Sequence, residues 1–343
     1  MAFQLHFVSA HQLIFVQILP NNQFGRSEKV KIQMVEIKPN VYMVYWKEKS
    51  GTIVAHLEDF QNEIVYTNIT SPDQIFVNLK GILTKINTNN MDNKQKVVDL
   101  LKSLETGAAE PVGYINPNKY IQHNLGVGDG LAGFGAVLQA LPPNSAKANT
   151  VRVFQDGDYV FAHTEYDFFG PKAGFDVFRF EDGKIVEHWD NLTEITPPNP
   201  SDRTQFDGET KVSDIDKTEE NKNIVTGFVN DVLKDGKVEK LTTYINPNKY
   251  LQHNSGVADG LDGLGAALDY FAQNGLVMIY DKVHKILGEG NFVLTVSEGK
   301  FGKGDNVAFY DLFRVENGQI VEHWDIIEPI PAQEYWKNNN GKF

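Results

Sequence analysis

The chain has no cysteine among its 343 residues and carries fewer basic than acidic side chains. Without cysteine, disulfides, thiolate metal sites and cysteine nucleophiles are all excluded. Lys and Arg together number 32 against 45 Asp and Glu, which gives a net charge of -13. Nucleic acids and anionic membranes are bound through basic surfaces. We therefore expect neither a nucleic-acid nor a membrane partner.

Long apolar runs are also missing, although the hydrophobic share of 41% is that of a soluble globular protein. A membrane span needs about 20 apolar residues. The apolar stretch LIFVQIL (13–19) is short, is interrupted by Gln17 and follows no Lys or Arg, whereas a signal peptide begins with basic residues. These features predict a cytoplasmic protein.

Several cofactor and nucleophile motifs are absent as well. The sequence contains no Ser/His/Asp nucleophile elbow, no phosphate-binding loop and no dinucleotide fingerprint. Its glycine-rich stretch GVGDGLAGFG (126–135) follows a polar loop, whereas a dinucleotide fingerprint follows a strand. We therefore expect no cofactor.

The length predicts two or three domains, and residues 1–88 differ in texture from the rest. Runs rich in β-branched and aromatic residues occur at 41–46, 52–60 and 63–69, separated by short turns. Such runs at hairpin spacing are typical of antiparallel strands. We expect an N-terminal all-β small barrel.

The remainder contains an internal repeat. Residues 114–141 match 244–271 at 19 of 28 positions, and EDGKIVEHWD (181–190) returns as ENGQIVEHWD (316–325). The offset grows from 130 to 135, as a small loop insertion after the duplication of a whole domain would produce. We expect one copy at 89–198, a proline-containing polar linker at 199–211 and a second copy at 212–343. These copies are called the first and second repeat below.

Each repeat reads as helices followed by strands, which predicts an α+β fold. The first helix should begin after Asp92 and stop at Gly107. In the strands of the second repeat, alternation places Asp311 with Phe313 on one face, and His323 with Asp325 on one face. The first repeat has the same pattern with Asp176, Phe178, His188 and Asp190.

If helices cover that face, each repeat encloses two carboxylates and an imidazole among aromatic walls. Burial raises the pKa of a carboxylate and suits it to general acid or base chemistry near neutral pH. The alternative is structural: the aspartates form salt bridges with surface cations, and the histidines are ordinary strand residues.

The repeated motif YINPNKY(I/L)QHN places Tyr120 three residues from His123, and Tyr250 three residues from His253. In a helical turn such residues share a face, where a phenol and an imidazole could hold an enolate oxygen. The alternative is an Asn-rich turn begun by Asn116-Pro117. His123 with His188 and Asp190 could also form a non-haem iron ligand set. Because spacing alone is weak evidence for such a set, we predict no metal.

The segments YIQHN and YLQHN, the strands FDVFRF and YDLFRV, and the closing IVEHWD resemble SnoaL-like proteins of the nuclear transport factor 2-like superfamily. The resemblance is to a bacterial group predicted to catalyse aldol-type condensation; polyketide cyclases and ketosteroid isomerases are further relatives. It implies two tandem cone-shaped α+β barrels, each a curved antiparallel sheet with helices around a pocket. The pocket residues it implies are His253, Asp311, His323 and Asp325 in the second repeat, and His123, Asp176, His188 and Asp190 in the first.

The second repeat keeps more of this family's pattern, including His284 and Glu298, whereas the first has Arg152 near the position of His284. We expect the second repeat to be the active one, with the first active or reduced to a partner. Cones of this family commonly pair, so we expect the repeats to pair within the chain, and a homo-oligomer stays open.

Residues 1–86 resemble the MoaF-like group of calycin-type barrels, through VYMVYW, VAHLEDF and VYTNI. That resemblance implies a small apolar ligand near Trp46, His56 and Asp59, unless these side chains merely pack or face solvent. For the whole chain we expect a cofactor-free lyase or isomerase acting on a small carbonyl compound. The alternative is a non-catalytic carrier of small molecules. Ligand contacts are expected from Tyr120, Tyr250, His284, Phe313 and Trp46.

Overall fold

The structure is a computed structural model that describes residues 2–9, 11–18, 24–84, 92–141 and 146–343. The chain divides into two compact units. One contains the N-terminal sheet, and the other contains Asp92–Gly107 and Pro111–Phe343, which hold both repeats. None of the helices in the described ranges combines the length and apolar character needed to cross a bilayer.

The N-terminal unit is all-β, as predicted. Its seven strands pair with their neighbours in chain order, and each pair is antiparallel. Hydrophobic side chains at alternate positions form its core, among them Leu13, Val44 and Trp46. In the ranges described, β1 and β7 are not paired with each other, so they are the edges of the sheet. The strands are β1 Ala2–Ser9, β2 Gln12–Ile18, β3 Phe24–Lys38, β4 Val41–Lys47, β5 Ile53–Asp59, β6 Ile64–Thr70 and β7 Phe76–Ile82.

The first helix of the repeats, α1 (Asn93–Thr106), has the predicted ends. The Asp92 side chain accepts a hydrogen bond from the Lys94 backbone N–H, and Gly107 adopts a left-handed φ of 67°. A side-chain cap and a left-handed glycine satisfy the free backbone groups at the two ends of a helix. The buried face of α1 includes Val97, Leu100 and Leu101. The other helices are α2 Gly130–Ala140, α3 Thr218–Phe228, α4 Leu241–Tyr244 and α5 Gly260–Gln273.

The two repeats have the same sheet topology. The strand order is β8-β12-β11-β10-β9 in the first repeat and β13-β17-β16-β15-β14 in the second. The two-residue strand at one edge is parallel to its neighbour, and the other pairs are antiparallel. The α+β prediction is thus confirmed. The strands are β8 Ile121–Gln122, β9 Lys147–Asp156, β10 Tyr159–Asp167, β11 Pro171–Glu181, β12 Lys184–Glu194, β13 Leu251–Gln252, β14 Val277–Glu289, β15 Phe292–Gly302, β16 Asp305–Glu316 and β17 Gln319–Pro329.

The two sheets pack against each other inside the chain. One face of the first sheet, with Phe175 and Trp189, shares a buried cluster with Leu312 and Trp324 of the second. Asn191 ties the sheets directly, because its Nδ2 donates to the Ala308 and Ile326 carbonyl oxygens at 2.9 Å each. Since strand residues alternate between faces, the opposite face of each sheet remains for the helices to cover.

The linker segment (199–211) is hydrogen-bonded to both repeats. Asn199 Nδ2 donates to the Gln252 carbonyl oxygen of the second repeat at 2.6 Å. Further along, the Phe206 ring stacks on His163 of the first repeat, with ring centroids 5.4 Å apart. A polar segment without periodicity can still be ordered when its side chains satisfy backbone groups elsewhere.

The C-terminal segment (338–343) also contacts both repeats, but it follows the last strand of the second repeat. Asn338 Nδ2 donates to the Asn124 carbonyl oxygen of the first repeat at 2.8 Å. At its end, the Phe343 ring stacks on His284 of the second repeat, with centroids 4.1 Å apart. The two segments therefore have corresponding roles after the last strand of each repeat.

His163, beneath the linker segment, should make stability depend on acid. Burial and then the charge of Arg152, whose guanidinium lies 3.1 Å from His163 Nδ1, hold the pKa of His163 well below its ordinary value. The folded ring stays neutral, while the unfolded one gains a proton below about pH 6.5. The free energy of unfolding should therefore fall by about 2 kcal/mol between pH 7 and pH 5 through this residue alone.

His163→Gln keeps an acceptor for Arg152 but does not titrate. We expect the variant to lose that part of the pH dependence, measured by urea unfolding at both pH values. An equal decrease in the two proteins would contradict the assignment to His163.

Candidate active site

The face of the first sheet that lies opposite the inter-repeat core carries a polar cluster. Register places Asp176 on β11 directly opposite Asp190 on β12, and Phe178 opposite His188. Because alternate strand residues share a face, these four side chains point the same way, as predicted from the sequence. Asp176 is 3% exposed and Asp190 is 5% exposed.

The cluster opens into a cavity of about 100 Å³. Its walls are mostly apolar and include Leu100 and Leu101 of α1, Phe134 of α2, and Phe168 and Phe178. An apolar cavity with a few converging polar groups is the usual form of a small-molecule site. The polar and phenolic lining residues are Tyr120, Gln122, Asn124, Tyr166, Asp176, His188 and Asp190.

Asp176 and His188 share a proton. His188 Nδ1 lies 3.1 Å from Gln122 Oε1, which also accepts from the Asn124 backbone N–H at 2.8 Å. Because Gln122 presents its oxygen, Nδ1 is the donor. His188 Nε2 then faces Asp176 Oδ1 at 3.0 Å, and this contact requires a proton between the two atoms.

The pair can therefore exist as imidazolium and carboxylate, or as neutral imidazole and carboxylic acid. Burial raises the pKa of Asp176, although the hydrogen bond from His188 opposes that change. The Tyr166 hydroxyl also donates to Asp176 Oδ2 at 2.7 Å. The pair thus holds one shared proton at the wall of the cavity.

Asp190, unlike Asp176, has a carboxylate oxygen without a hydrogen bond in the part of the chain that the structure describes. Its Oδ2 accepts from Asn124 Nδ2 at 2.7 Å. Its buried Oδ1 has no hydrogen-bond partner among the described residues, and the nearest cation is Lys342 Nζ at 3.9 Å. A buried acceptor without a donor is costly, so Asp190 Oδ1 is the oxygen of the cluster that remains free to bind a proton or a donor from a ligand.

The second repeat builds the same cluster. His323 Nε2 lies 3.1 Å from Asp311 Oδ1, and its Nδ1 lies 3.1 Å from Gln252 Oε1. Burial lowers the pKa of His323, but the hydrogen bond to Asp311 and the charges of both aspartates outweigh it and raise the value. Burial raises the pKa of Asp325, which accepts from Asn254 Nδ2 at 2.7 Å.

The sequence did not reveal the two tyrosines that bond to these aspartates. Tyr166 reaches Asp176 from β10, whereas the Tyr280 hydroxyl reaches Asp311 from β14 at 3.2 and 3.3 Å. Tyr166 lies four residues after Ala162, the cross-strand partner of Asp176. Strand alternation places Tyr166 on the same face of the sheet as Asp176, but this follows only when the register of β10 against β11 is known.

The prediction that His123 and His253 face the cavities is corrected by the structure. The motif forms the short strands β8 and β13 and no helical turn, so the period is two. Tyr120 and Gln122 therefore line the cavity, while His123 lies on the other face. It stacks on Trp189 with centroids 4.7 Å apart, and its nitrogens lie 2.9 Å from Glu187 and 2.9 Å from the Gly341 carbonyl oxygen.

His253 repeats this arrangement with Trp324 (centroids 4.6 Å apart), Glu322 at 2.9 Å and the Thr204 carbonyl oxygen at 2.8 Å. Both histidines thus join the inter-repeat core to the crossing segments. The iron ligand set that includes His123 is consequently not assembled.

The predicted ligand contacts lie in different surroundings. Tyr120 lines the cavity and Tyr250 is buried beside Gln252, whose Nε2 donates to the Tyr250 hydroxyl at 2.9 Å; burial raises the pKa of both phenols. Phe313 stacks on His323, with centroids 4.7 Å apart. His284 lies under Phe343, and its Nε2 lies 3.3 Å from a carboxylate oxygen of Glu298. Trp46 belongs to the core of the N-terminal sheet, where it contacts Phe15 and His56.

The Asp and His side chains of the two clusters are also possible metal ligands. One ligand atom each from Asp176, His188 and Asp190 lie within 4.8 Å of one another, as do those from Asp311, His323 and Asp325. Such sets have the composition of a divalent cation site. In the first repeat, however, Lys342 already places a positive charge 3.9 Å from Asp190, and a proton accounts for the Asp176–His188 contact. We therefore treat these residues as acid–base groups.

Comparisons with known protein families match two parts of the chain. Residues 1–84 match the MoaF-like family, and residues 225–323 match the SnoaL-like domain family. A search among curated proteins gave no match.

Several solved structures resemble parts of the chain. A protein of unknown function with a cystatin-like fold from Xanthomonas campestris is 20% identical, covering 34% of this chain and 97% of its own, with a TM-score of 0.26. An epoxide hydrolase from M. tuberculosis described as LEH-like is 20% identical over 33% of this chain and 85% of its own, with a TM-score of 0.26. TsrD from Streptomyces laurentii is 20% identical over 32% and 88%, also with a TM-score of 0.26.

Proposed function

We propose that this protein is a cofactor-free lyase or isomerase that abstracts a proton next to the carbonyl group of a small compound. The observation that carries the proposal is the pairing of opposite functions in one cavity. Asp190 has a buried carboxylate oxygen without a hydrogen bond, and the Asp176–His188 pair nearby holds a proton. An acceptor and a donor facing one apolar space are what enolisation requires.

In the proposed reaction Asp190 takes the α-proton, and the electron pair of that C–H bond forms the enolate. The negative charge develops on the carbonyl oxygen. The Tyr166 hydroxyl turns from Asp176 to donate to that oxygen, while His188 continues to donate to Asp176. In an apolar cavity these interactions are stronger than in water. Asp190 can return the proton to another carbon, which is an isomerisation. Alternatively, the enolate can attack a second carbonyl, which is an aldol-type condensation or cyclisation.

We extend the proposal to both repeats. The second repeat contains the match to the SnoaL-like domain family, and the first repeat is proposed as a second SnoaL-like domain because of its identical topology and equivalent cluster. The proposed catalytic residues are Asp176, His188 and Asp190, and Asp311, His323 and Asp325. Because Tyr166 and Tyr280 come from different strands, the two sites should prefer substrates of different shape.

The second candidate is a non-catalytic carrier. It is favoured by the predominance of Leu, Val and Phe in the cavity wall, which would hold an apolar ligand without any chemistry. The MoaF-like match at residues 1–84 fits a ligand-binding role as well.

Hydrogen exchange distinguishes the two candidates. The protein is incubated in D₂O with cyclopentanone and a panel of other small ketones, and loss of the α-hydrogens is followed by NMR. We expect enzyme-dependent exchange that saturates with ketone and persists after treatment with a metal chelator. Saturable thermal stabilisation without exchange would favour the carrier, and exchange abolished by the chelator would contradict a cofactor-free mechanism.

A further inference from the structure

A cation from the C-terminal segment is buried behind the site of the first repeat. Lys342 is 6% exposed, and its Nζ donates to the backbone carbonyl oxygen of Asp190 at 2.7 Å. The same Nζ forms an ion pair with Glu328 on β17 of the second repeat, and lies 3.9 Å from Asp190 Oδ1. A lysine is rarely buried unless its charge has a role or a partner.

The C-terminal segment also supports the wall of the cavity. Asn340 Nδ2 donates to the Gln122 carbonyl oxygen at 3.0 Å, and Asn338 Nδ2 donates to the carbonyl oxygens of Asn124 and Val127 at 2.8 and 3.0 Å. Gln122, Asn124 and Val127 all line the cavity. The segment therefore holds both the loop and the strand that carry the polar groups of the site.

In the second repeat, the corresponding loop is also held by asparagine hydrogen bonds, but no lysine lies beside the equivalent aspartate, Asp325, among the described residues. Asn199 of the linker segment donates to the carbonyl oxygens of Gln252 and Val257. In the first repeat the corresponding carbonyl oxygens, of Gln122 and Val127, accept from Asn340 and Asn338. The linker segment has two basic residues: Arg203 pairs with Asp259 on that loop, and Lys211 is exposed. Among the ion pairs of the described residues, none joins a Lys or Arg to Asp325.

We propose that Lys342 is a positioning residue for the proton acceptor Asp190, so that the C-terminal segment belongs to the first active site and not to the second. The inference rests on the function proposed above. By binding the Asp190 backbone, Lys342 fixes where the carboxylate sits. By placing a positive charge nearby, it favours the ionised form that can accept a proton.

Other titratable groups also act on Asp190, and Lys342 is the cation among those described here. The second repeat contributes Glu328, Tyr310 and Lys342, and the remaining groups belong to the first repeat. These groups are Asp176, His188, Tyr120, Tyr166, Tyr310, Glu328 and Lys342.

The test separates the two sites by mutation. In a chain with Asp325→Asn only the first site can act, and in a chain with Asp190→Asn only the second. Adding Lys342→Met to the first chain should lower cyclopentanone exchange about tenfold and move the acid limb of kcat/KM about one pH unit higher. Lys342→Arg should restore most of the rate. Lys337→Met, which removes an exposed lysine just before the C-terminal segment, should change nothing.

Two results would overturn the proposal. One is an equal loss when Lys342→Met is added to the Asp190→Asn chain, because Lys342 would then support the whole fold. The other is a reduced rate with an unchanged acid limb. Since Lys342→Met leaves Glu328 without its cation, the double variant Glu328→Gln/Lys342→Met removes both charges. Its acid limb should still move to higher pH, but by less than in Lys342→Met, because a negative charge near Asp190 is lost as well.

A readout without catalysis keeps this inference separate from the proposed function. The protein is labelled with ¹³C at its Asp carboxyl groups, and the titration of Asp190 is followed by NMR in the wild type and in Lys342→Met. We expect the midpoint to rise by about one pH unit on loss of the lysine. If no ketone exchanges but this midpoint rises, the proposed function fails and the role of Lys342 stands; an unchanged midpoint overturns that role.

Discussion

Replacing Asp190 and Asp325 together by Asn should lower enzyme-dependent exchange of ketone α-hydrogens by about 10²- to 10⁴-fold, the usual contribution of a general base. The side chain keeps its shape, and its oxygen can still accept from Asn124 or Asn254. What is lost is the negative charge that takes the proton. NMR exchange rates at saturating cyclopentanone measure the effect.

The folded state should tolerate this double substitution. Asp190 has an unpaired buried oxygen, which is costly, and burial also disfavours the charge of Asp325 by raising its pKa. The thermal midpoint should therefore not fall. Asp305→Asn, which changes an exposed Asp at the start of β16, is the matched control and should keep the full rate. The two single variants report how much each repeat contributes. Unchanged exchange in a folded double variant would remove both aspartates from the mechanism.

Trp324→Ala should be the most destabilising single substitution tested, with a loss of about 3–5 kcal/mol in the free energy of unfolding. Trp324 is 1% exposed and lies between the His253 ring, 4.6 Å away, and the Arg152 guanidinium, 4.3 Å away. Its indole N–H donates to the Asp207 carbonyl oxygen at 2.9 Å. One side chain thus joins the second repeat, the first repeat and the linker segment.

Chemical unfolding followed by circular dichroism gives the loss directly. Tyr335→Ala is the control for removing an aromatic ring, because Tyr335 is 69% exposed and such surface changes usually stay within about 0.5 kcal/mol. Trp189 has the corresponding place in the first repeat, with Lys285 Nζ 4.0 Å from its ring centroid. A loss for Trp324→Ala no larger than that for Tyr335→Ala would mean that the repeats do not depend on this contact.

The sequence alone predicts those parts of the site that depend only on the two-residue alternation of a strand. Asp176, His188 and Asp190 were placed on one face because strand residues alternate, and the register of β11 and β12 confirms it. The same rule was missed for His123, because its motif was interpreted as a helical turn. With the period of a strand, Gln122 would have been expected in the cavity and His123 behind it.

Other parts depend on partners that are distant along the chain. The hydroxyl of Tyr166 meets Asp176, and that of Tyr280 meets Asp311, only through the pairing of strands whose register no local pattern fixes. Lys342 reaches Asp190 from 152 residues away. Contacts of this kind join single side chains to backbone groups, so they leave no periodic signal in the sequence.

The crossing of the linker and C-terminal segments has a consequence for the origin of the chain. Each segment follows the last strand of one repeat, binds the other repeat, and returns to its own. This is the pattern of a twofold-symmetric homodimer in which each subunit lends its tail to its neighbour. Joining two such subunits end to end turns one tail into a connector and leaves the other as it was. Once the genes are fused, the two halves need no longer be identical, and a lysine can arise behind one site alone.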